Sequence, residues 1–233
     1  MCNQDGGICR EETELKFYPR YNENEWPAEW IEEVGNYMHH SYRIISDYTP
    51  LSGLPEIIFV QKEYTVETLE RVNLPEWVSA FTIEGTIYAL FNDKNARWRS
   101  VIDHEMFHAG VNMFLGSKDD LPVWFNESIA YFVGNNYAVD AWSLCHYVVE
   151  HFNTVSGWIE KDHVLSHEHI GYEIVKSLGE YICKTYGANK IKCLIEEMKK
   201  ANYFNTALHK VFNIDVPTLV KGWRDNLLQI CYT

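Results

Sequence analysis

The stretch that most constrains this chain is VIDHEMFHAG at residues 101–110, which predicts a helix. His104 and His108 are four positions apart, so on an α-helix their imidazoles lie one above the other on the same face. A catalytic zinc ion takes two such imidazoles among its three protein ligands. Glu105 directly follows the first histidine and is placed to reach a water on that metal as general base. Two hydrogen-bonded core histidines would give the same pattern, so a third ligand has to be found.

Eighteen residues separate the second histidine from a candidate third ligand, which lies within PVWFNESIAY at 122–131. This stretch predicts a second helix, with Pro122 in its first turn and Asp119 or Asp120 near its start. Glu127 is its only carboxylate, and burying a carboxylate among aromatic residues is costly without a cation partner. The alternative is a surface residue whose carboxylate reaches solvent. Two His and one Glu leave a position for water, as in catalytic rather than structural zinc sites.

The order H-E-x-x-H, eighteen residues, then E resembles the gluzincin zinc metallopeptidases, as does the surrounding W-x-x-E-x-x-A from Trp124 to Ala130. The resemblance is to the aminopeptidase-N-like and thermolysin-like members and their small relatives. It implies one zinc ion per chain, held by His104, His108 and Glu127, with Glu105 as the base. The family has glycine after the glutamate ligand, whereas this chain has Ser128. Because that change removes no donor atom, we expect the ligand set to be complete.

The same resemblance assigns a role to Tyr172, which with Glu173 opens a predicted helix ending near Gly187. In gluzincins, this segment supplies a tyrosine that stabilises the transition state. Peptide hydrolysis builds negative charge on the carbonyl oxygen, and a phenol aimed at that oxygen lowers the barrier. The chain has 15 Tyr, so an ordinary core or surface aromatic is the alternative interpretation.

Residues 77–82 and 86–91, ahead of the H-E-x-x-H helix, predict two strands joined around Glu84-Gly85. In the resembled family, the strand before the zinc helix is an edge strand, with which extended substrate pairs through main-chain hydrogen bonds. Aminopeptidases carry G-x-M-E-N here to hold the substrate amine, and this chain lacks that motif. Glu84 is a conceivable substitute, but a solvated turn residue is the simpler interpretation. We therefore expect endopeptidase rather than aminopeptidase action.

A second stretch has the composition of a metal site, with His163, His167 and His169 within seven residues. The first two have helical i, i+4 spacing, but Gly157 before and Gly171 after them favour a loop. The sequence therefore leaves two interpretations, a second metal site or a His-rich rim lining the cleft.

The expected fold of this 233-residue chain is α+β, and the resemblance implies a thermolysin-like zincin arrangement. Residues 1–20 are predicted to be a frayed tail, although Cys2 or Cys9 could instead occupy the open zinc position as an inhibitory thiolate. Residues 21–233 are predicted to form one domain. A small mixed sheet with a helix occupies 21–93, a mostly helical lobe occupies 94–233, and zinc lies in the cleft between them.

The net charge of −13 argues against nucleic acid and anionic membrane surfaces as partners, since both require positive patches. No run of apolar residues is long enough to span a membrane, and no basic region followed by an apolar run marks a signal peptide. Six scattered Cys lack the density of a secreted disulfide scaffold. We expect a cytoplasmic protein acting on peptide or protein substrates, with an oligomeric state that the sequence leaves open.

Together these features predict a zinc-dependent peptidase that uses a metal-activated water, with Glu105 as general base. Two other functions remain open. A non-catalytic, zinc-stabilised binding module is supported by Ser128 and by the missing amine-binding motif, but it would not need Glu105. A zinc hydrolase of a non-peptide substrate is the third possibility.

Overall fold

The computed structural model describes residues 19–20, 27–60, 70, 78–90, 97–116, 121–201 and 203–232, and these are mostly helical with a small mixed sheet. The first part contains β1 (Pro19–Arg20), α1 (Ala28–Ile45), β2 (Ile57–Phe59), β3 (Ala80–Ile83) and β4 (Thr86–Ala89). The rest contains α2 (Trp98–Leu115), α3 (Val123–Val133), α4 (Ala141–Glu150), α5 (Phe152–Glu160), a 3₁₀ turn (Val164–His167), α6 (Glu168–Tyr186), α7 (Ala188–Ala201), α8 (Phe204–Phe212) and α9 (Val216–Tyr232). The α+β class is confirmed.

The sheet has the strand order β1-β2-β4-β3, with parallel pairing except between β3 and β4. The predicted hairpin is confirmed, and both residues of its turn, Glu84 (φ 51°) and Gly85 (φ 82°), have the positive φ that a two-residue type I′ turn requires. The strand directly before the H-E-x-x-H helix was expected at the edge, but β4 lies inside the sheet because it pairs on both sides. Within the described residues, β1 and β3 are the two edge strands, and β3 packs against α2.

Helix α2 lies at the centre of the molecule and packs against α1, β3, β4, α3 and α7. It is buried over most of its length because apolar residues occur on several of its faces, and it ends at Gly116, whose φ of 74° closes the helix in the left-handed conformation. One hydrophobic cluster extends from α1 and the sheet through α2 to α9. Its members include Val34, Met38, Ile57, Ile87, Ile102, Met106, Leu178 and Trp223. This core holds α2 in a fixed position relative to the sheet.

Helix α4 ends at Glu150, and α5 follows it at once. The loop expected around the His-rich stretch is instead a 3₁₀ turn followed by α6. The two glycines that favoured a loop lie inside helices, Gly157 in α5 and Gly171 in α6. At Gly171, an added Cβ would be 2.1 Å from the carbonyl oxygen of Val164. The glycine therefore serves close packing and does not break the chain.

Residues 1–18, with Cys2 and Cys9, lie outside the described residues, and so does the predicted inhibitory contact of those thiols. At the end of the predicted tail, Pro19 and Arg20 pair with Ile57 and Ile58 of the sheet. In the described ranges there is no helix of the length and apolar character needed to cross a membrane.

Candidate metal centre

The two predicted motifs come together between α2 and α3. His104 and His108 project from one face of α2, and Glu127 projects toward them from the second turn of α3. Their donor atoms all lie within 4.8 Å of one another, so this group could hold a metal ion. Across the ranges that the structure describes, no other group of three or more His, Cys, Asp and Glu side chains meets that requirement.

The spacing of the three donors fits a small metal ion. The Nε2 atoms of His104 and His108 are 3.1 Å apart. Glu127 Oε2 is 3.5 Å from the first of these nitrogens, and Oε1 is 3.2 Å from the second. Ligands bound tetrahedrally at about 2.0–2.1 Å from an ion lie about 3.3–3.4 Å apart. The two nitrogens, and the carboxylate oxygen that faces each of them, therefore have separations close to those of ligands around one ion.

Electrostatic interactions also link the Glu127 carboxylate to the imidazoles of His104 and His108. Burial alone would lower the pKa of His108, but the Glu127 carboxylate opposes this and raises it to about 9. Burial would also raise the pKa of Glu127, but His108 and His104 hold it well below its usual range. Glu127 is therefore ionised at neutral pH. Its charge attracts a cation to the imidazoles, whether a proton or a metal ion.

Glu105 stands beside this group and has a partner of its own. Its side chain is buried, and the Thr82 hydroxyl donates a hydrogen bond of 2.8 Å to Oε2. Thr82 lies on the edge strand β3, so the carboxylate is held between the sheet and α2. Sequence reasoning missed Thr82, because its partner is 23 residues away on another element and no local pattern marks the contact.

All five predicted site residues line one cavity of about 980 Å³. Residues 78–83, which include β3, form one wall. The facing wall is one side of α2, and α3 and α6 contribute the remainder. The lining includes His104, His108, Glu127, Glu105 and Tyr172. An extended ligand in this cavity would lie along the edge strand and over the candidate metal centre.

Tyr172 lies on α6 and faces the cavity half-buried, as the resemblance implied. Burial, together with the nearby Glu127 carboxylate, raises the pKa of its phenol above the usual value. The hydroxyl is therefore protonated at neutral pH and able to donate a hydrogen bond. Its catalytic role stays a prediction.

A second tyrosine, Tyr131, was not identified from the sequence. Its ring packs edge-on against His104, with centroids 4.8 Å apart, and lies 6.3 Å from the Tyr172 ring. Burial and the Glu127 carboxylate raise the pKa of its phenol. Tyr131 follows the third ligand by one helical turn, and this i, i+4 spacing was the signal available in the sequence.

The His-rich stretch does not contribute to the site. His167 stacks on Trp158, with ring centroids 3.6 Å apart, and His163 and His169 are exposed. None of the three histidines lines the cavity, so the predicted His-rich rim is wrong. Nor do they form a second metal group in the part of the chain that the structure describes. The stretch has a structural role instead, because Asp162 accepts hydrogen bonds from backbone N–H groups at the start of α3.

No protein-family model, curated protein or solved structure matches this chain. The gluzincin resemblance therefore rests on the residues of the two motifs, and family membership stays a prediction.

Proposed function

We propose that this chain is a zinc-dependent peptidase of the gluzincin type, with a thermolysin-like catalytic arrangement and endopeptidase action. The observation that carries the proposal is the position of Glu105. Its buried carboxylate lies beside the His104, His108 and Glu127 group, in a cavity walled by an edge strand. A metal site that only stabilised the fold would need no such carboxylate.

Zinc is the metal we propose, because two imidazoles and one carboxylate form a common catalytic zinc ligand set. Structural zinc sites are closed by four protein ligands, whereas three ligands leave a position for water or substrate. When bound here, zinc would polarise a carbonyl group and acidify a water molecule.

The chain's own residues would supply the proton transfers. Glu105 accepts a proton from the attacking water, whose oxygen bonds to the carbonyl carbon. As the C–N bond breaks, the same carboxyl group gives that proton to the leaving amine. Tyr172 donates a hydrogen bond to the oxygen that gains negative charge. The outer edge of β3, which pairs with no other strand among the described residues, would offer main-chain hydrogen bonds to an extended peptide. Peptides and proteins are therefore the proposed substrates.

The decisive experiment compares zinc-loaded parent protein with Glu105→Gln, using internally quenched peptides with blocked N-termini. We expect the parent to cleave them. Glu105→Gln should retain zinc but lose about 10²- to 10⁴-fold in kcat, the usual contribution of general acid–base catalysis. Glu84→Gln is the matched control, because this turn glutamate does not line the cavity. It should behave like the parent.

Three outcomes would contradict the proposal in different ways. Cleavage of free-amine substrates alone, lost in Glu84→Gln, would establish an aminopeptidase. A zinc-loaded parent that cleaves no peptide would support the binding module, or a hydrolase of a non-peptide substrate if ester or amide substrates turn over. Full activity in Glu105→Gln would remove this residue as the base.

A further inference from the structure

The edge strand and the candidate base are joined by one side-chain hydrogen bond. Thr82 Oγ1 lies 2.8 Å from Glu105 Oε2 and 3.2 Å from the backbone carbonyl oxygen of the same residue. A hydroxyl has a single proton to donate. The carboxylate oxygen is the nearer acceptor and carries charge, and hydrogen bonds to ionised acceptors are the stronger ones. The helix carbonyl, by contrast, already accepts a bond within α2.

This contact restricts an otherwise adaptable side chain. A glutamate has three rotatable side-chain bonds, and a cavity of about 980 Å³ leaves Glu105 space to turn. Threonine is branched at Cβ and stiff at χ1, so its hydroxyl is directed by the backbone of β3. The bond occupies Oε2 and leaves Oε1 to accept a proton.

We propose that Thr82 is a positioning residue, which holds Glu105 in the orientation needed to take a proton beside the metal centre. Its chemical role rests on the proposed function, but the orientation itself can be measured without hydrolysis. Thr82 belongs to β3, the strand along which an extended ligand would lie. The same strand would therefore contact the ligand and orient the Glu105 side chain.

The test compares Thr82→Val with Thr82→Ser in the full chain loaded with cobalt(II), whose visible spectrum reports ligands bound to the metal. Valine keeps the shape and loses the hydroxyl, whereas serine keeps the hydroxyl. Thr86→Val makes the same substitution in the same hairpin, at a residue that does not line the cavity. The two probes are acetohydroxamic acid and azide. The hydroxamate gives a proton to the base when it binds, whereas azide is already an anion and binds the metal without giving up a proton.

We expect Thr82→Val to weaken hydroxamate binding by roughly 10-fold or more, the effect of removing one hydrogen bond to a charged group. Azide binding should stay within about twofold of the parent, since the metal ligands are unchanged. Thr82→Ser and Thr86→Val should bind both probes as the parent does. Adding Thr82→Val to Glu105→Gln should cause no further loss of hydroxamate affinity. In an active parent, kcat should fall for Thr82→Val while KM is retained.

Equal weakening of both probes would overturn the proposal, because Thr82 would then only support the fold. No weakening of either probe would also overturn it. A parent that binds both probes but cleaves no peptide would contradict the proposed function alone, and the probe comparison would still decide the role of Thr82. A parent that takes up no cobalt would refute the metal centre, and this inference with it.

Discussion

At the scale of single residues, Glu127 is the carboxylate that links the two imidazoles of the candidate metal centre. Its two oxygens approach two different imidazoles, at 3.5 Å from His104 and 3.2 Å from His108. Without a metal ion, burial would lower the pKa of His108, but the Glu127 carboxylate stabilises a proton on this imidazole and raises its pKa to about 9. A proton and a metal ion therefore compete for the same nitrogen.

Zinc affinity should consequently rise with pH between about 7 and 9. Below the raised pKa of about 9, His108 carries a proton that zinc must displace, so each pH unit should strengthen binding by up to about tenfold. Above that pH the dependence should level off. The zinc affinity at each pH can be measured by competition with a chromophoric chelator whose own pH dependence is known.

Glu127→Gln is the control for that pH dependence, because it removes the charge that raises the pKa. In this variant, binding should be weaker and its pH dependence should end at or below the ordinary histidine pKa of about 6.5, because burial is then less strongly opposed. Parent affinity that stays constant from pH 7 to 9 would contradict the proposed competition.

Much of the site was predictable at this scale, because it follows from local rules. His104 and His108 follow from helical periodicity, and Glu127 follows from the cost of a lone carboxylate on an apolar helix. Thr82 and Tyr131 were missed. Thr82 contacts Glu105 only because a strand packs on a helix, and a single sequence carries no signal for the register of that contact.

At the scale of elements, helix α3 depends on a cap from a distant part of the chain. The carboxylate of Asp162 accepts hydrogen bonds from the backbone N–H groups of Val123 (2.9 Å) and Trp124 (3.0 Å). The sequence pointed to Asp119 or Asp120 near this helix start, and both lie outside the described residues. The cap fixes the first turn of α3, one turn before the glutamate ligand.

Asp162→Ala should therefore lower the free energy of unfolding by about 1 kcal/mol, the usual effect of losing a helix N-cap. It should also weaken zinc binding, because the start of α3 sets the position of Glu127. Asp140→Ala is the matched control, since Asp140 caps α4 by the same kind of bond, to Trp142 and Ser143. It should reduce stability without changing zinc affinity. An equal effect of both variants on zinc would contradict the link from cap to ligand.

The contact between α3 and α6 leads to a second prediction at this scale. A Cβ added to Gly179 would be 1.9 Å from the carbonyl oxygen of Ser128, so the two helices meet backbone to backbone. Gly179→Ala should destabilise the protein by about 1–3 kcal/mol, as overpacking does. Gly157→Ala has open space and should stabilise it by about 0.5–1 kcal/mol, as is usual for Gly to Ala inside a helix. Urea unfolding measures both, and stabilisation by Gly179→Ala would contradict this packing.

At the scale of the whole molecule, the sequence predicted the α+β class but not how its parts are arranged. The hairpin was predictable because its turn residues lie next to each other. The position of β4 between β2 and β3 was not, because parallel pairing joins segments about 30 residues apart. Helix α5 was missed because Gly157 was interpreted as a loop residue, although it lies inside that helix.

The candidate metal centre brings together side chains of α2 and α3, which lie on either side of residues 117–120, outside the described part of the chain. Zinc bound between them should stabilise the folded protein, since a ligand that binds only the native state shifts the unfolding equilibrium. The melting temperature should therefore fall on treatment with a chelator and recover when zinc is restored.

The most direct test is the zinc content of the protein, measured by elemental mass spectrometry after purification without added metal and again after reconstitution. The account predicts close to one zinc ion per parent chain and much less in Glu127→Ala. Glu150→Ala is the matched control because its side chain is 77% exposed and far from the site in sequence, and it should bind zinc as the parent does. A parent without zinc even after reconstitution would mean that His104 and His108 are core histidines, and the enzymatic account would be wrong.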